Sequence, residues 1–559
     1  MSNFSAHGAF ARAFRGLPRR TEALAASAWA SAWVVTCFAL AGAPGANAEY
    51  LVQNDDYYVR LNNTLKYSGS VRVAPQSQAV LNRLNVNDGD YAFKQGQLTS
   101  NRVDLFSELD AQENSSHHYG LRLSAGAWYD TVYNRSHNAV PADQYNGIAE
   151  GVGSFSDTAR TLNGKNVMLY DALAHGQWDI DGHNLSLHVG RETVQWGESI
   201  FFSNNGIAGG MSPVDGIKAS LVPGIQAKEI YLPVGQVSTT FQVNDNITLA
   251  GYYQFEYRPT LAPVPGTYTS VADFLYEGSE SLRLAPGGPY WSHGKDKKPS
   301  NGGQYGLAVR YSDLDLELDT GLYWVHYTAK LPQMYVDLPA GRYRYIYPKG
   351  IDAFGVSFAK QILGGSWGLE LNVKTNEPLL GNTPFYFAPT TDSSAPLWPT
   401  ANVAHVNLNN IQIFGEQTLF GAKLWDASSV VAEVAGEHVL QVTGRKDVDR
   451  SLYPNTAVVA TAIFTPTWYQ ALPNLDLSMP ITISDVLLGP SPTDITFGGT
   501  GATRGGFVGI GLSGLYKNTW KIGLNYTSFY GSSKSKNGAQ TNQPYIDRDF
   551  VSFNLSRTF

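Results

Sequence analysis

Ser186 and His188 stand two residues apart, the spacing that sets two side chains on one face of a strand and could bring a hydroxyl nucleophile beside an imidazole base. Chemistry of that kind needs a third group to orient the base, and none is identifiable near the pair. Such pairs are frequent by chance, so the structural reading outweighs the catalytic one. His117-His118 is no better as a metal site: neighbours on an extended chain point apart, and neither an H-x-x-x-H spacing nor a carboxylate partner accompanies them. Gly498-Gly499-Thr500-Gly501 lacks the strand, helix and Lys of a phosphate loop. The sequence therefore predicts no catalytic residue, no metal ligand set and no cofactor, and an enzyme is not expected.

Two sets of charged residues carry more promise. Arg191, Glu198, Asp215, Lys228 and Glu229 flank or interrupt the stretch 196–235, which is rich in Gly and Pro yet also holds Ile200, Phe201, Phe202, Ile207, Met211, Val214, Leu221 and Ile230. A purely solvated loop would not need those apolar residues. Asp104, Glu108 and Asp110 form one acidic row at alternate positions, and Asp315, Glu317 and Asp319 form another.

What must position these residues is a repeat of alternating apolar and polar side chains. Ile247, Leu249, Gly251, Tyr253, Phe255 and Tyr257 alternate with Thr248, Ala250, Tyr252, Gln254 and Glu256; before them Val237, Thr239, Phe241 and Val243 alternate with polar residues, and Asn244-Asp245-Asn246 joins the two. Val103, Leu105 and Leu109 followed, after a polar turn, by Tyr119, Leu121, Leu123, Ala125 and Ala127 make another hairpin. The same phase returns at Tyr305, Leu307, Val309 and Tyr311, at Leu316, Leu318, Leu322 and Trp324, at Trp367 to Val373, and at Trp520 to Tyr530. These runs approach the nine to eleven residues with which a tilted strand crosses hydrocarbon, longer than the strands of a soluble β-sandwich.

Short turns near 112–118, 181–183, 244–246, 313–314, 363–365, 420–427, 472–475 and 517–519 alternate with long connections such as 133–164, 198–235, 258–303 and 376–406. That alternation predicts an all-β, transmembrane antiparallel β-barrel of about 18 strands, with 16 as the alternative, having short periplasmic turns and long external loops. Only 16% of residues are charged, while 32 Tyr, 25 Phe and 12 Trp supply side chains suited to a membrane interface.

The N-terminus reads as a secretory signal over 1–48: Arg12, Arg15, Arg19 and Arg20 precede an apolar stretch from Ala23 to Ala41, and Ala46-Asn47-Ala48 offers a cleavage site. An uncleaved anchor helix is the competing reading. Removing 1–48 takes the formal charge from −7 to −10, which argues against a nucleic-acid partner, and removes Cys37, the chain's one cysteine. Residues 49–63 are then expected as a short periplasmic segment and 64–559 as a single barrel in the cell outer membrane. Arg191 sits in the lipid-facing phase of Leu185, Leu187 and Val189, which requires either a bulge at Gly190 or a place at the rim. The final Phe559, behind Val551, Phe553 and Leu555, resembles the signal read by the outer-membrane insertion machinery, with Arg557 as a departure.

Asn63-Thr64-Leu65-Lys66-Tyr67-Ser68, Gly190-Arg191, Trp196-Gly197-Glu198-Ser199, Pro213-Val214-Asp215, Pro223-Gly224, Lys228-Glu229, Pro259, Asp273-Phe274, Leu475-Asp476-Leu477 and Arg548 to Ser552 together resemble the bacterial outer-membrane family called domain of unknown function 1302. Met211-Ser212 departs from it, where Asn is expected before Pro-x-Asp. The resemblance implies a barrel, an outer-membrane address and, by association, uptake of lipidic, steroid-like or aromatic compounds.

Within a barrel both charged sets acquire a place. Residues 196–235 are expected to fold inward and narrow the mouth, with Arg191, Glu198, Asp215, Lys228 and Glu229 pinning the segment to the wall or meeting the solute; pinning ion pairs are the commoner case. The acidic rows either make the lumen favour cations or solvate a wall balanced by Arg102, Arg122 and Arg310. The function expected is a channel or substrate-selective porin for passive uptake of small molecules, whose partners are outer-membrane lipid and the solute. A structural or surface barrel without transport and an outer-membrane hydrolase stand as alternatives, and the sequence leaves the oligomeric state open.

Overall fold

The computed structural model describes residues 49–114, 118–387, 396–497, 504–532 and 543–559. The expected signal with Cys37, His117 and the Gly498–Gly501 stretch lie outside the described residues.

Eighteen antiparallel strands close into a barrel. The first six are β1 (Tyr57–Arg72), β2 (Leu98–Glu113), β3 (Gly120–Asp130), β4 (Lys165–Ile180), β5 (His183–Glu192) and β6 (Val234–Gln242). Next come β7 (Ile247–Gln254), β8 (Gln304–Asp313), β9 (Leu318–Tyr327), β10 (Ile351–Ile362), β11 (Gly365–Pro378) and β12 (Thr400–Phe414). The last are β13 (Ala427–Gly444), β14 (Thr456–Leu472), β15 (Leu475–Ser478 with Ile481–Leu488), β16 (Gly506–Tyr516), β17 (Trp520–Tyr530) and β18 (Phe550–Thr558).

β18 pairs with β1 from Thr64↔Thr558 to Arg72↔Phe550, so neither edge of the sheet is left open. Phe559 completes the seam by exchanging backbone hydrogen bonds with Asn63 at 2.7 and 2.8 Å. β1 begins at Tyr57 rather than at Thr64, and its early half pairs with a short strand, Glu49–Gln53. β15 is broken at Met479-Pro480 because Pro has no N–H for the ladder.

Alternation is visible along each wall. On β7, Leu249 and Tyr253 are 42% and 49% exposed while Ala250, Tyr252 and Gln254 are buried. The greasy face meets lipid and the polar face meets the lumen, as a bilayer-spanning barrel requires. Outward-facing Arg557 lays its guanidinium over Trp520, 5.3 Å from the ring centroid, so its stem runs along the wall.

One expected strand start is corrected. Leu314–Glu317 forms a turn, with Glu317 at φ +50°, so Asp315 and Glu317 lie at the short-turn end and not on a lumen wall; only Asp319 belongs to β9, in the inward phase. The cause is Asp313, whose Oδ1 accepts the N–H groups of Asp315 and Leu316 at 3.1 and 3.0 Å and folds the chain before alternation resumes.

At the opposite end, three long connections supply a second, five-stranded sheet: Tyr386–Phe387, Gln333–Asp337, Arg342–Ile346, Tyr290–His293 and Ser281–Arg283, in that order. Leu282, Met334, Val336, Tyr343 and Tyr345 form its core with Phe274 and Leu275. Among the described residues helices are confined to connections, no α-helix exceeds six residues, and none is long and apolar enough to cross a membrane.

Candidate functional site

The lumen changes character along its length. On β1 the inward side chains pass from half-buried Tyr58, Arg60 and Asn62 to buried Thr64, Lys66, Ser68, Ser70 and Arg72 as the chain approaches the long-connection end. Arg72 is enclosed by Asp90, Phe93 and Asp547, while the connection between β5 and β6, residues 193–233, covers Lys66 by way of Glu229.

This connection turns inward for local reasons. Gly197 has φ +91°, and a Cβ there would lie 2.1 Å from a Glu370 carboxylate oxygen, so only glycine lets the backbone approach. Asp215 then caps the helix Gly216–Leu221, its Oδ1 accepting the Lys218 N–H at 2.9 Å. Pro213 O accepts from Leu232 N, and Asp215 N donates to Ile230 O, which folds the segment back on itself.

Its first half is held by the wall from β10 to β13. Glu433 Oε2 accepts the N–H groups of Ile200, Phe201 and Phe202 at 3.1, 2.5 and 3.2 Å. Glu370 accepts the N–H groups of Glu198 at 3.0 Å and Ile207 at 2.6 Å. Asn205 donates to Asn407 Oδ1 at 2.8 Å and meets His405 Nδ1 at 2.8 Å. Trp196 sits on Tyr252 and Tyr323, in one apolar cluster with Ile207, Met211 and Tyr327.

Its second half is held by the facing wall. Glu229 pairs with Lys66 on β1 at 3.3 Å, both side chains under 5% exposed, and Lys228 pairs with Glu108 on β2. Lys218 Nζ donates to Tyr170 OH at 2.6 Å and lies 4.5 Å from the Trp128 ring centroid. One connection is thus bonded to two walls that stand opposite each other in the barrel order.

Of the residues singled out in the sequence, four join this connection to its surroundings. Glu198 Oε1 accepts from Ser357 Oγ at 3.3 Å, and burial, helped by Glu370 and Asp319, raises its carboxyl above the ordinary range. Burial likewise raises Asp215, against the pull of Lys218 and Arg102. Lys228 and Glu229 make the ion pairs just described. Arg191 is elsewhere: it stays in register on β5 with no shift at Gly190, and at the rim it grips Glu256 through Nε at 2.8 Å and Nη2 at 2.5 Å. The rim position, and not a bulge, resolves its lipid-facing phase.

The remaining acids of the first row are matched. Asp104 pairs with Arg102 at 2.7 Å, Glu108 with Arg122 at 2.7 Å, and Asp110 with Arg60 at 3.3 Å and Arg122 at 3.4 Å. His188 Nδ1 faces Glu192 Oε2 at 2.8 Å, and the other oxygen of Glu192 accepts from Ser238 at 2.5 Å. Glu192 thus takes both partners, and the Ser186 hydroxyl has no part in that set.

Between the inward connection, residues 260–276 and the inner wall of β16 to β18 lies a chamber of about 550 Å³. Phe201, Phe202, Phe507, Phe529, Tyr545 and Phe550 line it. Beside it, Lys330 is buried with its Nζ on Gln304 Oε1 at 2.8 Å. Sequence reasoning missed Glu370, Glu433, Asn205, Lys66 and this aromatic lining. For those on strands the inward phase was a readable signal; the partners of Glu370, Glu433, Asn205 and Lys66, more than a hundred residues away in sequence, were not.

The sequence matches the family described as Protein of unknown function (DUF1302) over residues 29–559. The chain belongs to that family. None of the curated proteins compared with this DUF1302 member matches it. Solved structures similar to it include Pseudomonas aeruginosa OccD3 (OpdP), at 11% identity over 92% of this chain and 93% of that one, with a TM-score of 0.40. Acinetobacter baumannii OccAB2 is 10% identical over 90% and 98%, with a TM-score of 0.41, and Pseudomonas aeruginosa OprD is 9% identical over 92% and 97%, with a TM-score of 0.39.

Proposed function

We propose that this DUF1302 barrel is an outer-membrane channel for passive uptake of small molecules, with hydrophobic, steroid-like or aromatic compounds as its solutes. The observation that carries the reading is the connection 193–233, tied to opposite walls between a wet lumen below and an aromatic chamber above. A barrel serving only as an anchor has no need of a lumen graded in this way. In this reading Glu198, Asp215, Lys228 and Glu229 hold the constriction, Arg191 fixes its root at the rim, and the paired acids of the lumen are a balanced wall. Phe559 serves as the insertion signal after removal of 1–48.

The external five-stranded sheet favours a second reading, a surface-display barrel whose function lies in its folded loops. Liposome uptake across polar sugars, organic acids, aromatics and polycyclic compounds separates the two. Selective entry of the apolar classes supports the channel; no entry of any class supports surface display.

A further inference from the structure

Among the described residues two charged side chains line the chamber, Arg548 and Asp494, and they differ in how they are matched. Arg548 is buried and neutralised: its Nη2 donates to Asp90 Oδ2 at 2.8 Å, and Asp90 together with Asp547 also balances Arg72, at 3.1 Å each. No lysine or arginine among the described residues pairs with Asp494; Lys374, which donates to the backbone O of Asn204 at 2.5 Å, is matched by Glu377 at 3.8 Å.

The Asp494 carboxylate can also be reached. Its Oδ1 accepts the N–H and the hydroxyl of Thr496 at 2.7 Å each, while Oδ2 has one long contact, from Asn204 Nδ2 at 3.5 Å. These bonds stand open to solvent with the chamber empty.

Aromatic rings complete the surroundings. Phe497 donates its N–H to the Asp494 carbonyl at 3.3 Å and packs on Phe202, ring centroids 5.9 Å apart. A second group joins Phe529 to Phe507, Tyr545 and Phe550 at 6.1, 5.1 and 6.5 Å. All but Phe497 are half-buried, so part of each is left bare in the chamber. None of the cation–π contacts among the described residues uses these six rings.

The face of an aromatic ring is negative and attracts a cation, and an unpaired carboxylate beside it adds a full charge of the same sign. An anion entering the chamber is repelled by Asp494 and meets no uncompensated positive charge in Arg548, while losing its own hydration. A metal ion such as calcium wants several oxygen ligands, which one carboxylate among rings does not offer. An ammonium group on an apolar body satisfies both the carboxylate and the rings, and a chamber of about 550 Å³ takes a ligand of drug size.

We infer that this chamber binds aromatic or polycyclic ammonium ions, and selects them over neutral and anionic compounds of the same shape. The inference deepens the channel reading and rests on it for physiological meaning, though binding itself can be measured without flux.

The test uses the full mature barrel in nanodiscs of zwitterionic lipid and equilibrium dialysis of three naphthalene probes, with empty nanodiscs subtracted. They are naphthylmethyl-trimethylammonium, its neutral isostere neopentylnaphthalene, and naphthylacetate. The ammonium ion should bind about ten-fold tighter than its isostere, and naphthylacetate no better than the isostere. Asp494→Asn, which keeps an acceptor for Thr496, should cut that advantage to about three-fold or less, the share of the rings. Phe202→Leu, which keeps the apolar contact and removes a ring, should also diminish it. Ala219→Phe, which fills the chamber from the helix Gly216–Leu221, should abolish ammonium binding. Equal binding of the ammonium ion and its isostere, an undiminished advantage in Asp494→Asn, or ammonium binding that survives Ala219→Phe overturns the inference. Flux of aromatics in liposomes with no ammonium advantage in binding sinks the inference and spares the channel; ammonium-selective binding without flux does the reverse.

Discussion

The carboxylate of Glu433, on the inner face of β13, accepts the backbone N–H of Phe201 at 2.5 Å from a connection rooted on the far side of the barrel. The same oxygen takes the N–H groups of Ile200 and Phe202, so one side chain fixes three consecutive residues. Glu433→Ala leaves those donors without an acceptor, at a cost to the inward arrangement of roughly 2–4 kcal/mol. Single-channel recording of the variant should show a higher or noisier conductance than wild type, while Glu433→Gln, which keeps an acceptor oxygen, should fall between.

Lys66 and Glu229 hold the opposite end, both buried. Glu229→Gln strands the Lys66 ammonium and should loosen the segment by about 3 kcal/mol, whereas replacing both by Met should recover most of the loss. Proteolysis of the connection from the periplasmic side reads the difference: rapid cleavage in the single variant, near wild-type resistance in the double.

Three external connections meet at two buried acids. The Asp88 N–H donates to Asp273 Oδ2 at 3.1 Å, and the Asn146 N–H donates to Asp88 Oδ2 at 3.1 Å. Burial pushes Asp273 up to about 6, with Asp90 adding to the rise and the Asp88 N–H and Arg548 opposing it; Asp88 is raised by burial and by Asp273, with Arg283 opposing. An unfolded Asp releases its proton near 3.9, so from about pH 4 to 6 the folded cluster holds more protons and its stability falls as pH rises, by roughly 2–3 kcal/mol. Amide exchange near Asn85, Asp88 and Asn146 should be slower at pH 5 than at pH 7 after correction for intrinsic rates. Asp273→Asn should flatten that dependence.

Lys330 has the opposite slope. Burial lowers its ammonium to about 7, and it faces Gln304 and the Tyr257 ring with no carboxylate paired to it among the described residues. The unfolded chain keeps the proton to about 10.4, so stability around residues 328–350 should rise as pH climbs from 7 towards 10. Lys330→Met should stabilise that connection at pH 6 by about 3 kcal/mol and remove the slope, because Gln304 Oε1 retains the Thr328 N–H at 3.2 Å. Exchange protection of the Thr328 amide is the readout.

Much of this fold was legible because a membrane wall forces period-two alternation, and the seam from Thr64 to Phe559 follows from the same phase. Asp315 and Glu317 were misplaced because their spacing mimics a strand, while the turn that holds them is made by the Asp313 side chain. The five-stranded external sheet left no trace, since its register joins short pieces of three separate connections. In the connection between β5 and β6, the apolar content of residues 196–235 was the readable signal. Their contacts with Glu370 and Glu433 did not, because an inward acid on a wet wall looks the same whether it meets water or a backbone.

The most direct test is conductance in planar bilayers after replacing residues 200–230 with a short flexible linker, in a barrel shown to be folded by heat-modifiable mobility. A channel narrowed by this connection predicts a several-fold larger conductance than wild type. Equal conductance in the two folded proteins would contradict it.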